Sequence, residues 1–257
     1  MNRNDLLRDD ALSAAFDRAA RTYDRLTAAN PGYHAHLRRS ARRLGLPHRG
    51  EGLRLLDLGC GTGASTAALL RAAPLAEIVA VDASQGMLEQ AAAKHWPPGV
   101  SFVHAPAEGL EEAGVRGPFD AVLAAYLLRN VKDPDAVLDS VRGLLAPGGR
   151  LAVHEYTLGG RLVDRMVWSA VCHGIVLPAG RAFGDGDLYR HLLESVVDFD
   201  TAEEFAARVR RAGFSSVRVL PLPGWQTGIV HTVLAAAPGT AAPTPSDARP
   251  VVAEGRL

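Results

Sequence analysis

Lysine and cysteine are scarce in this chain, neither sign of charge is in excess, and no apolar run is long. Lys94 and Lys132 are the lysines, and arginine carries the rest of the basic charge. The 28 basic residues balance 28 acidic ones, so no cationic surplus argues for a nucleic-acid partner. Two cysteines, Cys60 and Cys172, lie far apart in 257 residues. That sparing use fits a reduced, cytosolic compartment. No run approaches a membrane span, and "MNRNDLLRDDALSAAF" holds acids where a signal peptide needs an apolar core. A cytoplasmic location is therefore expected. What the chain does hold is 47% hydrophobic and 22% charged residues, the balance of a soluble globular protein. Its length suffices for one large domain, with or without an appended lid.

Along the chain, apolar runs alternate with helical segments. Two helices, "DDALSAAFDRAARTYDRL" and "YHAHLRRSARRLGL", precede the first strand. Strand patterns occupy 54–58, 77–81, 101–104, 119–124 and 150–156, with helices around 64–73, 84–94 and 134–145. Such alternation predicts a doubly wound α/β fold, a parallel sheet covered on both faces. Late in the chain, 217–222 and 228–235 flank a Pro-Gly turn and are expected to pair as a hairpin. A long insert, 157–199, separates the fifth strand from a helix at 202–212. The Ala/Pro/Thr-rich tail, 238–257, reads as disordered.

The stretch "LLDLGCGTGASTAALL" (55–70) ends a strand in Asp57 and then removes side chains at Gly59, Gly61 and Gly63. Bare backbone at the carboxyl end of a first strand lets a ligand approach closely, and the next helix directs free N–H groups there. The glycines alone also satisfy a dinucleotide pattern. Asp57 discriminates: a carboxylate repels a pyrophosphate and attracts an ammonium group. Asp82, ending the second strand in "VAVDAS", suits the two hydroxyls of a ribose. Ammonium, ribose and no pyrophosphate together describe S-adenosylmethionine.

"LLDLGCGTG", "VAVDAS", "FDAVLAAYLLRNVKDPDAVLDSVRGLLAPGGRLAVHEY", "GDGDLYRHLLESVVDF" and "FDRAARTYDRLTAANPGYHAHLRR" resemble the ubiquinone/menaquinone biosynthesis C-methyltransferase family, from about Phe16 to Ala235. The resemblance implies a Rossmann-like seven-stranded methyltransferase sheet whose last strand is antiparallel, with N-terminal helices folded over the cofactor. Where the family usually has an aspartate for the adenine amino group this chain has Pro106, so that contact falls to backbone near Ala107.

The cofactor set is then Asp57, Gly59, Cys60, Gly61, Thr62, Gly63, Asp82, Ala83, Met87, Pro106 and Ala107, joined by Tyr23 and Arg38 from the N-terminal helices. The Arg38–Arg39–Arg42–Arg43 run also reads as a solvated helix face. Carbon methylation needs an electron-rich ring activated by an ionising hydroxyl, whose pKa is roughly 10 when free. Arg129 of "LRNV" is expected to favour that anion, or to orient a water, with Asn130 orienting by hydrogen bond. His154 and His173 are alternative general bases outside this set. No metal is expected.

In the insert, Val163, Met166, Val167, Ala170 and Val171 recur at helical spacing, with Trp168 and Ile175 nearby. This stripe reads either as core or as the lid against an apolar acceptor. No basic amphipathic helix accompanies it, so a stable membrane anchor is not expected. The chain is thus read as one methyltransferase domain, 1–237, with a helical cap at 1–50 and a lid at 157–199. It would methylate a carbon of a small apolar quinol-like or phenolic acceptor. Natural-product O- or C-methylation, an NAD-dependent oxidoreductase and a non-catalytic cofactor-binding protein stay open as alternatives, as does a homodimer.

Overall fold

The computed structural model describes residues 9–178 and 186–239; from residue 240 the tail read as disordered falls outside them. Seven strands form one sheet: β1 (Arg54–Leu58), β2 (Glu77–Asp82), β3 (Val100–His104), β4 (Phe119–Ala125), β5 (Leu145–Tyr156), β6 (Ser215–Pro221) and β7 (Val230–Ala236). Their order is β3-β2-β1-β4-β5-β7-β6. The first five run parallel, and β7 lies antiparallel between β5 and β6. The expected hairpin is therefore the β6–β7 pair, with β7 turned inward to complete the sheet.

Side chains alternate between faces along each strand, and both faces are covered. Leu56 and Leu58 join Val79, Val81, Val122 and Val153 on one face. There they meet α5 (Pro134–Leu144) and α8 (Ala202–Arg211) through Val137, Val141, Phe205 and Val209. Leu55, Ile78 and Leu123 pack on the other face with Leu37, Ala41 and Leu69, from α2 (Tyr33–Arg43) and α3 (Ala64–Ala72). Two covered faces explain why the strands read as continuous apolar runs. Helix starts are locally encoded. Asp133 accepts from the backbone N–H of Asp135 and Ala136 at 3.1 and 3.0 Å, with Pro134 in the first turn of α5. Thr201 and Glu204 close a capping box on α8.

Helix α1 (Asp9–Ala29) packs against α4 (Gln85–Ala92) and is held by two acids. Asp17 accepts from Ser84 Oγ at 2.5 Å and from Gly86 N at 2.8 Å. Asp24 accepts from Thr62 Oγ1 at 2.5 Å and pairs with Lys94 Nζ at 2.6 Å. The N-terminal helix is thereby fastened to both loops that follow β1 and β2.

The insert carries α6 (Leu162–Val171), a π-helical turn over Cys172–Val176, and α7 (Gly186–Asp198). Trp168, Cys172 and Val196 pack on Tyr156, Leu158 and Val230 at the end of the sheet. The apolar stripe divides between two environments. Val163, Met166 and Val167 are exposed, while Trp168 and Val171 turn inward. The side chains of Ile175 and Tyr189 lie outside the described residues.

Candidate active site

The chain runs outward from β1 through β2 to β3 on one side, and from β4 to β5 on the other. The crevice at this reversal, beyond the carboxyl ends of β1 and β4, is where doubly wound sheets take ligands. The glycine turn lies there. Gly59 N and Cys60 N donate to Val81 O at 2.8 and 3.0 Å. Gly61 N donates to Asp82 Oδ2 at 2.7 Å, and Ser84 N to Asp82 Oδ1 at 2.9 Å. Gly61 sits at φ 54°, and a Cβ there would meet nothing within 4 Å, so its bare face looks into open space. At Gly63, φ is 91° and a Cβ would lie 2.7 Å from the Trp96 ring. Both positions demand glycine, for different reasons.

Asp82 stays on the cavity wall; burial pushes its carboxyl upward more than the two N–H donors lower it. Asp57 is fully buried and off that wall. Its Oδ2 accepts from Ser65 Oγ at 2.8 Å and Thr66 Oγ1 at 2.6 Å, which pins the first turn of α3 to the end of β1. Burial raises its pKa to about 7 despite these bonds.

One cavity of about 950 Å³ extends from this turn into the interior. Its first part is lined by Gly59, Cys60, Gly61, Thr62, Asp82, Ala83, Met87, Pro106 and Ala107. Its second part is aromatic. Tyr33 stacks on Tyr126 with ring centroids 5.7 Å apart, Tyr126 lies 4.8 Å from Tyr156, and Tyr156 lies 4.9 Å from Trp168. Tyr126 Oη and Trp168 Nε1 find no hydrogen-bond partner among the described residues.

Arg129 and Asn130 reach this aromatic part. Both fold back on Tyr126, whose φ of 57° is left-handed and unusual for a bulky residue. Its carbonyl accepts from Arg129 Nη1 at 3.0 Å and from Asn130 Nδ2 at 3.1 Å. Arg129 Nη1 also donates to Glu155 Oε1 at 2.6 Å, with the two side chains only 6% and 1% exposed. The guanidinium lies 5.8 and 5.4 Å from the Tyr126 and Tyr156 ring centroids, and its Nε has no partner among the described residues. Glu155 thus balances the charge of Arg129 inside the protein. Burial raises the Glu155 carboxyl pKa more than Arg129 lowers it. Asn130 Oδ1 meets His191 Nε2 at 3.1 Å, and His191 lines the cavity.

The structure thus gathers Tyr23, Arg129, Asn130 and most of the expected cofactor set around one space. Asp57, Gly63 and Arg38 stand outside it. Arg38 borders a separate small groove with His34 and Arg71, on the side of α2 where Arg39 and Arg42 are exposed. His154 is locked to Ser40 Oγ at 2.8 Å, and burial lowers its pKa to about 3, so it is neutral. His173 is a surface residue bonded to Ser169 O at 2.9 Å. Sequence reasoning missed Tyr33, Tyr126, His191, Glu108 and Trp225, which line the cavity, and Glu155 behind Arg129. Their local signal is position, at strand ends, in loops or on helices that border the crevice.

A sheet of this order, with a glycine turn after β1 and a carboxylate closing β2 on one capped cavity, defines the class I S-adenosylmethionine-dependent methyltransferases. Residues 5–234 match the ubiE/COQ5 methyltransferase family. The demethylmenaquinone methyltransferase of Clavibacter sepedonicus is 37% identical over 212 residues, covering 80% of this chain and 83% of that one. The ubiquinone/menaquinone biosynthesis C-methyltransferase UbiE of Rhizobium leguminosarum is 32% identical over 220 residues, covering 82% and 83%. A solved structure from Thermotoga maritima, described as a possible histamine N-methyltransferase, shares the fold with a TM-score of 0.61 at 20% identity, over 88% of this chain and 99% of that one. This chain belongs to the ubiE/COQ5 methyltransferase family, and that membership displaces the oxidoreductase reading.

Proposed function

We propose that this methyltransferase modifies a ring carbon of an apolar, quinol-type acceptor in the cytoplasm. The observation that carries the proposal is the continuity of one cavity from the glycine turn to the aromatic part around Arg129. The printed names of the two relatives, a demethylmenaquinone methyltransferase and a quinone-biosynthesis C-methyltransferase, support that acceptor.

The first part of the cavity fits S-adenosylmethionine. Each Asp82 oxygen accepts one backbone N–H, which leaves lone pairs for ribose hydroxyls. Met87, Ala83, Pro106 and Ala107 would flank the adenine. Gly59, Cys60, Gly61, Thr62 and Tyr23 would border the remainder, with the bare backbone of Gly61 giving room. Asp57 and Gly63 act from behind by shaping the turn. When bound, the cofactor supplies a methyl group already activated on a sulfonium.

The chain's own residues then have to align a nucleophile, exclude water and handle an acceptor proton. Arg129, held by Glu155 and the Tyr126 carbonyl, presents its remaining donors in a fixed orientation to an acceptor oxygen. The balanced pair acts as a strong oriented donor more than as a net charge, and such donors gain strength where water is excluded. Asn130, tied to both Tyr126 and His191, sets the orientation of this turn. Tyr33, Tyr126, Tyr156 and Trp168 supply flat apolar walls for a ring.

Incubation with methyl-deuterated cofactor and a panel of quinols and simple phenols, read by mass spectrometry and NMR, tests the proposal. The label is expected on a ring carbon of a quinol. Label confined to oxygen, or transfer to phenols with none to any quinol, overturns it.

A further inference from the structure

Helix α1 forms one wall of the cavity, to which it contributes Ser13, Phe16 and Tyr23. The loops after β1 and β2 supply Gly61, Thr62 and Ala83 to the same space. Its attachment to the rest of the fold is more polar than apolar. Among the described residues, the buried apolar side chains of α1 are Leu12, Ala15, Ala19 and Ala20, and an alanine removes little apolar surface from water. The core helices α2, α3, α5 and α8 bring Leu37, Leu69, Val137 and Phe205 instead.

Beside that thin apolar contact stand two carboxylates, each placed on a cofactor loop. Asp17 Oδ1 accepts from Ser84 Oγ and Gly86 N, and Ser84 Oγ in turn accepts from Met87 N at 3.1 Å, capping α4. Asp24 holds Thr62 Oγ1 and Lys94 Nζ, while Lys94 Nζ also donates to Thr62 O at 2.7 Å. One acid–lysine pair therefore holds both the hydroxyl and the carbonyl of a residue in the glycine turn. Gly86 lets α1 and α4 meet closely: a Cβ there would lie 3.1 Å from Asp17 Cα and 3.2 Å from Asp17 O. The link from α1 to α2 is short, Asn30-Pro31-Gly32. Gly32 has φ 92°, and a Cβ there would lie 3.0 Å from the His36 ring. A short, glycine-bearing link between two helices is the kind of place where a hinged part pivots.

We propose that α1 is a latched door, which pivots at residues 30–32 to admit the cofactor and to release its demethylated product. Asp17 and Asp24 are positioning residues that hold it shut, and so they set how fast the product leaves. Tyr23 lies within electrostatic reach of Arg129 and Asp82 and travels on the same helix, so closure also completes the wall between the cofactor and acceptor parts. The proposal rests on the cofactor and is independent of the acceptor's identity.

Two measurements on the full chain test it: the dissociation rate of S-adenosylhomocysteine by surface plasmon resonance, and hydrogen exchange by mass spectrometry. Asp24→Ala removes one latch. Gly86→Ala keeps every hydrogen-bond donor and wedges α1 off α4, while alanine favours the helix of α4 itself. Asp24→Ala is expected to speed dissociation on the order of tenfold, and Gly86→Ala to act in the same direction. In the cofactor-free protein both should speed exchange in α1 and leave β1 and β2 unchanged, which separates local opening from lost folding. Asp24→Asn keeps an acceptor for Thr62 without the charge that holds Lys94, so its dissociation rate should fall between Asp24→Ala and the wild type. Three results overturn the proposal. Exchange in α1 rises while dissociation is unchanged, so the ligand leaves by another route. Exchange in α1 is unchanged in both variants, so these contacts are not what holds it. Exchange rises equally in β1 and β2 in both variants, so the effect is on the whole fold.

Discussion

Replacing Glu155 by glutamine removes one charge and keeps an acceptor of similar shape, so it isolates the contribution of the Arg129–Glu155 pair. The pair meets at 2.6 Å with side chains 6% and 1% exposed, where water screens least. Removing one partner of a buried pair costs about 3–5 kcal/mol, because the other charge stays buried without its counter-ion. Arg129 keeps its bond to the Tyr126 carbonyl at 3.0 Å, and a glutamine oxygen still accepts. The lower end, about 3 kcal/mol, is therefore the expected loss. In a domain of this size each kcal/mol moves the melting temperature by roughly 2–4 °C. The fall should be about 6–12 °C, read by differential scanning fluorimetry. The double variant Arg129→Met/Glu155→Leu removes both charges and should recover most of that loss, while turnover stays low in both because Arg129 is lost or misoriented. If Glu155→Gln melts within about 2 °C of the wild type, the pair contributes little and the reasoning fails. A double variant no more stable than the single one would refute it equally.

The Asp57 carboxyl has a pKa of about 7 in the fold against an ordinary 3.8, so the fold holds that proton more tightly than the unfolded chain does. Its contribution to stability is fully present below 3.8 and is lost as pH rises towards 7. The gap, 7 − 3.8 or about three pH units, is worth about 4 kcal/mol. Asp57→Asn should flatten that decline in denaturant titrations of the cofactor-free protein, and an unchanged pH profile would count against burial as its cause. Asp82→Ala should weaken S-adenosylmethionine binding by about 1–3 kcal/mol, and calorimetry showing full affinity would remove Asp82 from the site. Turnover should rank wild type, Arg129→Lys, then Arg129→Ala, the last reduced on the order of 10²-fold, with cofactor affinity within a few-fold throughout. An alanine variant with full turnover refutes that role. Trp168→Ala should cost about 3–5 kcal/mol and damage turnover, whereas Val167→Asp should stay within about 0.5 kcal/mol of wild type with a water-soluble acceptor. Equal damage by both would mean that α6 is packed the other way.

The helices and strands were legible because their signals are local. An apolar run bounded by turns reads as a buried strand, and Pro134, Thr201 and Glu204 mark helix starts, whatever the rest of the chain does. The glycine turn and Asp82 were legible for the same reason: one strand end and one backbone conformation demand them. Partnerships across the fold were not. Glu155 follows Arg129 by 26 positions, and the two meet because β4 and β5 pair in parallel with Ala125 beside His154, which brings their carboxyl ends together. Asn130 and His191, 61 positions apart, meet only through the docking of α7. At Asp57, sequence places a carboxylate at a strand end; packing turns it towards Ser65 and Thr66 and away from the cavity. The stripe on α6 makes the same point. Periodicity shows that a helix has an apolar side, but burial depends on what other parts of the chain stand opposite, and among the described residues none covers Leu162 and Met166.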